Sequence, residues 1–215
     1  MKKFLTGFCT KLIPVLVAGI LVYSCTEDKP LTNKVDFDRK AMLTNWIDNI
    51  MLPAFENFEQ EASALQSSVS NFNKKADQVS LHNLQNQFTS TYHAFQKIKA
   101  FEAGPSENIS LRASINTYPA DLTKIDNNIQ NEVTNIGNAS NLTARGFPAI
   151  DYLLYSPNTN LNDSKTQAYL ELLANDINAL ASTVNSNWQA ERTKFINASG
   201  TDLGSSLGQM VNAIN

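Results

Sequence analysis

From Asp36 onward apolar residues return in steps of three and four, the spacing that lines one face of an α-helix. Phe37, Leu43, Ile47, Ile50, Phe55, Phe58, Ala62, Leu65, Val69 and Phe72 trace a first long stripe. Pro53 falls inside it and has no N–H to donate, so a kink near Ile50 is expected within one long helix. A second stripe, with Ser80 as its cap, runs through Leu81, Leu84, Phe88, Tyr92, Phe95 and Ile98 to Ala103, where Gly104-Pro105 stops it. A short helix is expected over 110–116. A third long one is expected from Asp121 to Ile136 through Leu122, Ile125, Ile129 and Val133, closed by Gly137-Asn138. Residues 149–155 read as another short helix, with Pro148 at its first position and Asp151 at its fourth. Asp163 or Ser164 caps a long fourth helix through Tyr169, Leu173, Ile177, Leu180, Val184, Trp188 and Phe195. No stretch alternates like a half-buried strand between turn signals. The pattern therefore predicts an all-α antiparallel four-helix bundle with Trp46, Phe55, Leu84, Phe88, Ile125, Ile129, Leu173 and Leu180 in its core.

Composition narrows the picture. The 215 residues are 42% hydrophobic, enough for a buried core, and 17 Lys+Arg face 20 Asp+Glu. A net charge of −3 argues against nucleic acid as a partner, because a phosphate-tracking surface carries a basic excess. The 26 Asn residues suggest polar faces built from amides rather than charges. Two distant cysteines exclude a disulfide scaffold and a CxxC site.

The chain opens on an address. Lys2, Lys3 and Lys11 precede an apolar run over 12–23 that is short for a bilayer span and placed where a secretory signal belongs. It ends in Val22-Tyr23-Ser24-Cys25, which resembles a bacterial lipobox, so residues 1–24 are expected to be removed and Cys25 to be lipidated, tethering the protein to a membrane. Cleavage would leave 14 basic against 20 acidic residues. A polar tether follows over 25–35, and Glu27-Asp28 beside Cys25 resembles a surface-export signal. The expected location is the cell envelope, as an outer-membrane lipoprotein facing the periplasm or the exterior. Residues 36–200 form the expected bundle. Residues 201–215 read as the opening of a second helical half, with Ser205 or Ser206 capping a helix that meets no stop signal.

Chemistry is sparse. His82 and His93 lie eleven residues apart on one helix, about 16 Å, too far for one metal ion. No HExxH, GxSxG or phosphate-cradling glycine loop occurs. Glu56, Glu59 and Glu61 read as a solvated helix face.

One segment stands apart. Arg145-Gly146-Phe147-Pro148-Ala149-Ile150-Asp151, followed by Tyr152-Leu153-Leu154, reads as a tight turn feeding a buried helix, with a carboxylate near free N–H groups. It resembles the signature of the imelysin family, Gly-x-His-x-x-Glu before a Tyr-Leu-Leu type of stretch. Upstream, Arg112, Ile115, Tyr118, Pro119 and Asp121 resemble the Arg and aromatic-Pro segment of that family, and the Pro53-Ala54-Phe55 helix fits the same layout. The resemblance implies two related four-helix bundles, of which this chain carries the first and the opening of the second. It also implies an envelope protein linked to iron uptake or to metal and ligand binding, in a family labelled as peptidases. Here Pro148 stands at the His position and Asp151 at the Glu position. Proline has no lone pair for a metal, so an iron or other divalent cofactor would keep only Asp151 as a donor.

Two readings follow. In the first, a non-catalytic, membrane-tethered lipoprotein binds a nutrient, haem or metal ligand around Arg112, Tyr118, Asp121, Arg145, Gly146 and Asp151. In the second, a metal-dependent hydrolase of imelysin type completes its site from a second half.

Overall fold

The computed structural model describes residues 37–214. The lipobox, Cys25 and the whole tether lie outside the described residues. Residues Arg39–Asn215 form one compact unit.

The first helix, α1 (Arg39–Trp46), continues through a wider π-helical turn (Ile47–Met51) into α2 (Leu52–Lys74). The sequence explains where the widening falls. Pro53 removes one rung of the ladder, and the Leu52 N–H reaches back five residues to the Ile47 carbonyl. Leu43, Ile47, Met51 and Phe55 are all buried in steps of four, which overshoot an α-helical turn. The wider turn absorbs that drift. Beyond it, Phe58, Ala62, Leu65, Val69 and Phe72 keep the ordinary three-and-four rhythm.

A three-residue turn reverses the chain into α3 (Gln78–Ile98). The cap is Asp77 rather than Ser80: the Asp77 carboxylate accepts the Ser80 N–H at 2.9 Å, and the Ser80 hydroxyl accepts the Asp77 N–H at 3.1 Å. Both residues of this reciprocal box suit a helix start, and only the backbone shows which of them precedes the first turn. With Lys75 at 2.8 Å as well, the Asp77 carboxyl titrates at about 2. Its folded value lies below the unfolded one, so its stabilisation is present above about pH 4 and is lost as pH falls through about 2. Circular dichroism should show the start of α3 fraying across that window, and Asp77→Asn should remove this part of the acid dependence.

Helix α3 ends at Ile98, five residues short of the expected Ala103. Leaving the helix lets Phe101 turn inward onto Phe55, ring centroids 6.3 Å apart, and buries Ala103. Short helices α4 (Pro105–Asn108) and α5 (Leu111–Asn116) follow. Helix α6 (Leu122–Gln130) is the largest departure from expectation, which ran to Ile136. Glu132 takes φ +50°, and the Val133 N–H returns to the Asn128 carbonyl. This is a Schellman closure with Glu where Gly is usual, which hides the stop from a reading of residue types. Ile136 is nevertheless buried, brought back by the loop rather than by a helical turn.

After a 3₁₀ segment (Ala139–Ala144), α7 spans Gly146–Tyr155 and the 34-residue α8 spans Ser164–Asn197. Asp163 caps α8, accepting the Thr166 N–H at 2.9 Å. The last helix, α9 (Ser206–Ile214), starts where expected: the Ser205 hydroxyl accepts the Gly208 N–H at 3.1 Å. It docks through buried Met210 and through the Ser206 hydroxyl, which donates to the Phe195 carbonyl at 2.6 Å.

The architecture is all-helical. Helix α2 packs between α3 and α8 and runs antiparallel to both, as successive contacts from Asn73–Gln167 through Gln66–Asn175 to Asp48–Arg192 show. Much of the α2–α8 seam is closed by amides, such as Gln66 with Asn175 and Asn178 at 2.8 Å each. Short α7 packs against α8 and, through Phe147, meets Phe88, Tyr92 and Phe95 of α3. Phe55, Leu84, Phe88, Ile125, Ile129 and Leu173 are buried, while Trp46 and Leu180 are half-buried at the core's edge. Among the described residues no helix is long and apolar enough to cross a membrane.

Candidate functional site

The segment singled out in the sequence forms one wall of an open cleft of about 750 Å³. Helix α7 starts at Gly146, two residues earlier than expected, with Arg145 just before it. Gly146 has φ +73°, and a Cβ built there would lie 2.6 Å from Ile115 Cα and closer still to the Ile115 carbonyl. The glycine lets the start of α7 meet the end of α5 backbone to backbone, which fixes where Phe147, Pro148 and Asp151 stand.

Because the helix starts earlier, Pro148 is its third residue and Asp151 its sixth. Asp151 is exposed and lies beyond the first turn, where free N–H groups and the helix dipole favour a carboxylate. Asp151→Ala should therefore change thermal stability by less than about 0.5 kcal/mol, as exposed positions without partners do. Differential scanning calorimetry checks this.

Aromatic rings build the cleft. Phe88, Tyr92 and Phe147 pack into its floor, with centroids 6.0 Å (Phe88–Phe147) and 5.2 Å (Tyr92–Phe147) apart. Tyr152 and Tyr155 rise from α7, and Tyr118 stands opposite, 85% exposed, in the segment that links α5 to α6. The Tyr152 hydroxyl donates to Asp126 Oδ1 at 3.2 Å; partial burial and the Asp126 charge push its pKa up. That hydrogen bond orients the Tyr152 ring at the cleft.

The sequence-derived candidates divide. Tyr118 and Asp151 line the cleft, and Gly146 supports its wall. Arg145 turns away from it and is 4% exposed, its Nη2 donating to both oxygens of Asp176 at 2.6 Å and its Nη1 to the Gly137 carbonyl at 3.3 Å. Asp121 is the cap of α6, accepting the Lys124 N–H at 3.0 Å. Arg112 is exposed in a separate groove, where its backbone N–H donates to Glu102. Burial pushes the Glu102 carboxyl up, against that hydrogen bond and the Arg112 charge. Phe88, Tyr92, Phe147, Tyr152 and Tyr155 were not singled out as site residues. Their one signal was hydroxyl-bearing rings at helical spacing, Tyr152 with Tyr155, where a closed core would use Leu or Phe.

The donor set can be weighed against a metal. Pro148 has no lone pair, and Asp151 has no second donor beside it. Among the described residues, no group of three or more His, Cys, Asp or Glu is placed to hold a metal ion. His82 and His93 are both exposed. The residues described do not fit a transition-metal centre.

Taken together, the structure defines an antiparallel helical-bundle protein with an open aromatic cleft beside a glycine-tightened helix start. The chain belongs to the imelysin family (peptidase family M75), whose family model matches residues 51–215. Two solved structures share the fold. An imelysin-like protein from Psychrobacter arcticum 273-4 superposes with a TM-score of 0.71 at 19% identity, over 82% of this chain and 58% of that one. A candidate iron-regulated protein A precursor from Parabacteroides distasonis ATCC 8503 gives 0.66 at 16% identity, over 82% and 54%. The chain thus spans a little over half the length of these two relatives. Among curated proteins none matches.

Proposed function

We propose that this protein is a non-catalytic, imelysin-like lipoprotein of the cell envelope, tethered through Cys25, that binds a small nutrient ligand in the aromatic cleft and takes part in iron acquisition. The observation that carries this reading is the cleft itself: an open, ring-lined concavity of ligand size beside the altered signature, with a lone carboxylate and no nucleophile–base pair among its lining residues. Pro148 in place of His points away from hydrolysis at a metal. The precursor status and iron-regulated description of the Parabacteroides distasonis neighbour support the envelope and iron parts of the proposal.

Two experiments test it. Membrane fractionation with mass spectrometry should find diacylglycerol on Cys25, and Cys25→Ser should release the protein from the membrane; a Cys25→Ser protein still processed and membrane-bound would overturn the tether. A thermal-shift screen of organic nutrients should give a hit that Tyr118→Ala weakens at least fivefold. Peptide hydrolysis that depends on added metal would overturn the non-catalytic reading.

A further inference from the structure

We infer that the cleft selects an organic cation, a ligand carrying an alkylated ammonium group; this rests on the cleft being the ligand site. Three observations converge on that chemistry. Among the lining residues Asp151 is the one charged side chain, so the cleft carries a negative charge with no Lys or Arg to neutralise it. The Asp151 carboxylate also makes no hydrogen bond or ion pair with the rest of the described chain, which leaves both its oxygens available to a ligand. Around it stand the rings of Tyr92, Tyr118, Tyr152 and Tyr155, and an aromatic face presents the negative side of its quadrupole to whatever it meets.

A ring-walled cleft with one free carboxylate favours a positive charge spread over methyl or methylene groups. The alkyl surface packs on the rings while the charge is drawn to their faces and to Asp151. The same set suits other ligands poorly. A bare divalent ion needs several oxygen donors, and one carboxylate does not supply them. A carboxylate- or phosphate-bearing ligand would meet Asp151 with no cationic partner for its own charge. The acidic whole chain, at −3, adds a weak long-range attraction of the same sign.

The test compares choline with 3,3-dimethyl-1-butanol, its neutral carbon isostere, and with benzoate, by calorimetric titration and ligand-observed NMR on the purified protein. Choline should bind at least tenfold more tightly than the isostere, and benzoate should not bind. Asp151→Asn should reduce that preference at least fivefold, and Tyr118→Ala should weaken choline at least threefold. Both positions are exposed, so the variants are expected to fold, and their melting temperatures confirm it. If the isostere or benzoate binds as well as choline and Tyr118→Ala weakens it, the cleft is the ligand site and the cation inference alone is overturned. If choline binds but neither variant affects it, the assignment of the cation to this cleft is overturned. If none of the three binds and the broader screen finds no ligand dependent on Tyr118, the cleft reading and the inference fall together.

Discussion

Gly146→Ala should lower the unfolding free energy by about 2–5 kcal/mol, among the largest losses available to a single methyl group in this protein. Two effects add. At φ +73° a Cβ sits close to its own backbone, a conformation that costs an L-residue roughly 1–2 kcal/mol. The new carbon also lands against the Ile115 carbonyl and within 2.6 Å of Ile115 Cα. These are backbone atoms that no rotamer change can move, and overpacking of this kind costs roughly 1–3 kcal/mol or more. For a unit of this size the loss corresponds to a fall of about 4–20 °C in melting temperature. Calorimetry on Gly146→Ala measures it. A fall of less than about 3 °C would mean that α5 and α7 separate easily, and that the glycine does not set the cleft wall. Ligand binding should suffer even where folding survives, because Phe147 and Asp151 would shift with the start of α7.

Arg145→Ala should cost about 3–5 kcal/mol at neutral pH, the range for leaving one partner of a buried ion pair uncompensated. The guanidinium grips both Asp176 oxygens at 2.6 Å and holds the Gly137 carbonyl, tying the 137–145 loop to α8. The neighbouring contacts are of the same kind. The Tyr169 hydroxyl donates to the Ala144 carbonyl at 2.6 Å, and Asn128 Nδ2 donates to the Tyr169 hydroxyl at 3.0 Å. Burial already holds the Asp176 carboxyl above the ordinary range, and Arg145 opposes that rise. Removing Arg145 lets burial act alone, and the folded pKa climbs further. A raised folded value stabilises at pH below the unfolded pKa and is lost as pH rises through the folded one, so the penalty should be largest at pH 7 and should shrink towards about pH 4. Urea unfolding of Arg145→Ala at both pH values checks the sign. The double variant Arg145→Met/Asp176→Leu, which removes both charges, should recover most of the loss. Equal losses in the single and double variants would show that the loop, not the charge pair, carries the energy.

These two residues show why the site was only partly legible beforehand. Arg145 and Gly146 stand in the segment that the sequence marks as unusual, and the structure places Arg145 on Asp176 and Gly146 against the Ile115 backbone. A residue type does not state whether its side chain faces a cavity or a buried carboxylate 31 positions away. Arg112 and Asp121 failed to converge with Asp151 for a related reason. Helix α6 begins at Leu122 with Asp121 spent on its cap, and Arg112 lies at the opposite end of α5 from Asn116, which reaches the cleft.

The sequence by itself determined the all-helical class, the stripes that bury α2, α3 and α8, the neighbourhoods of the caps at 163–164 and 205–206, and membership of the imelysin family. Each follows from local physics or from a contiguous motif: helical periodicity, a side-chain oxygen before a first turn, a string of neighbouring residues. Tertiary structure alone decided three things. It ended α6 at Gln130, because Glu132 turns left-handed there, a conformation that glutamate as a residue type does not signal. It placed a π-helical turn before Pro53, because Leu43, Ile47 and Met51 must share one buried face. It also assembled the cleft from α3, α7 and the 116–122 segment, since rings far apart in the chain become neighbours only when α7 packs on α8 and brings Phe147 against α3. Periodicity shows that a side chain lies on an apolar stripe. Whether that stripe ends in a sealed core or at an open cleft depends on which element packs opposite it, and no local rule contains that information.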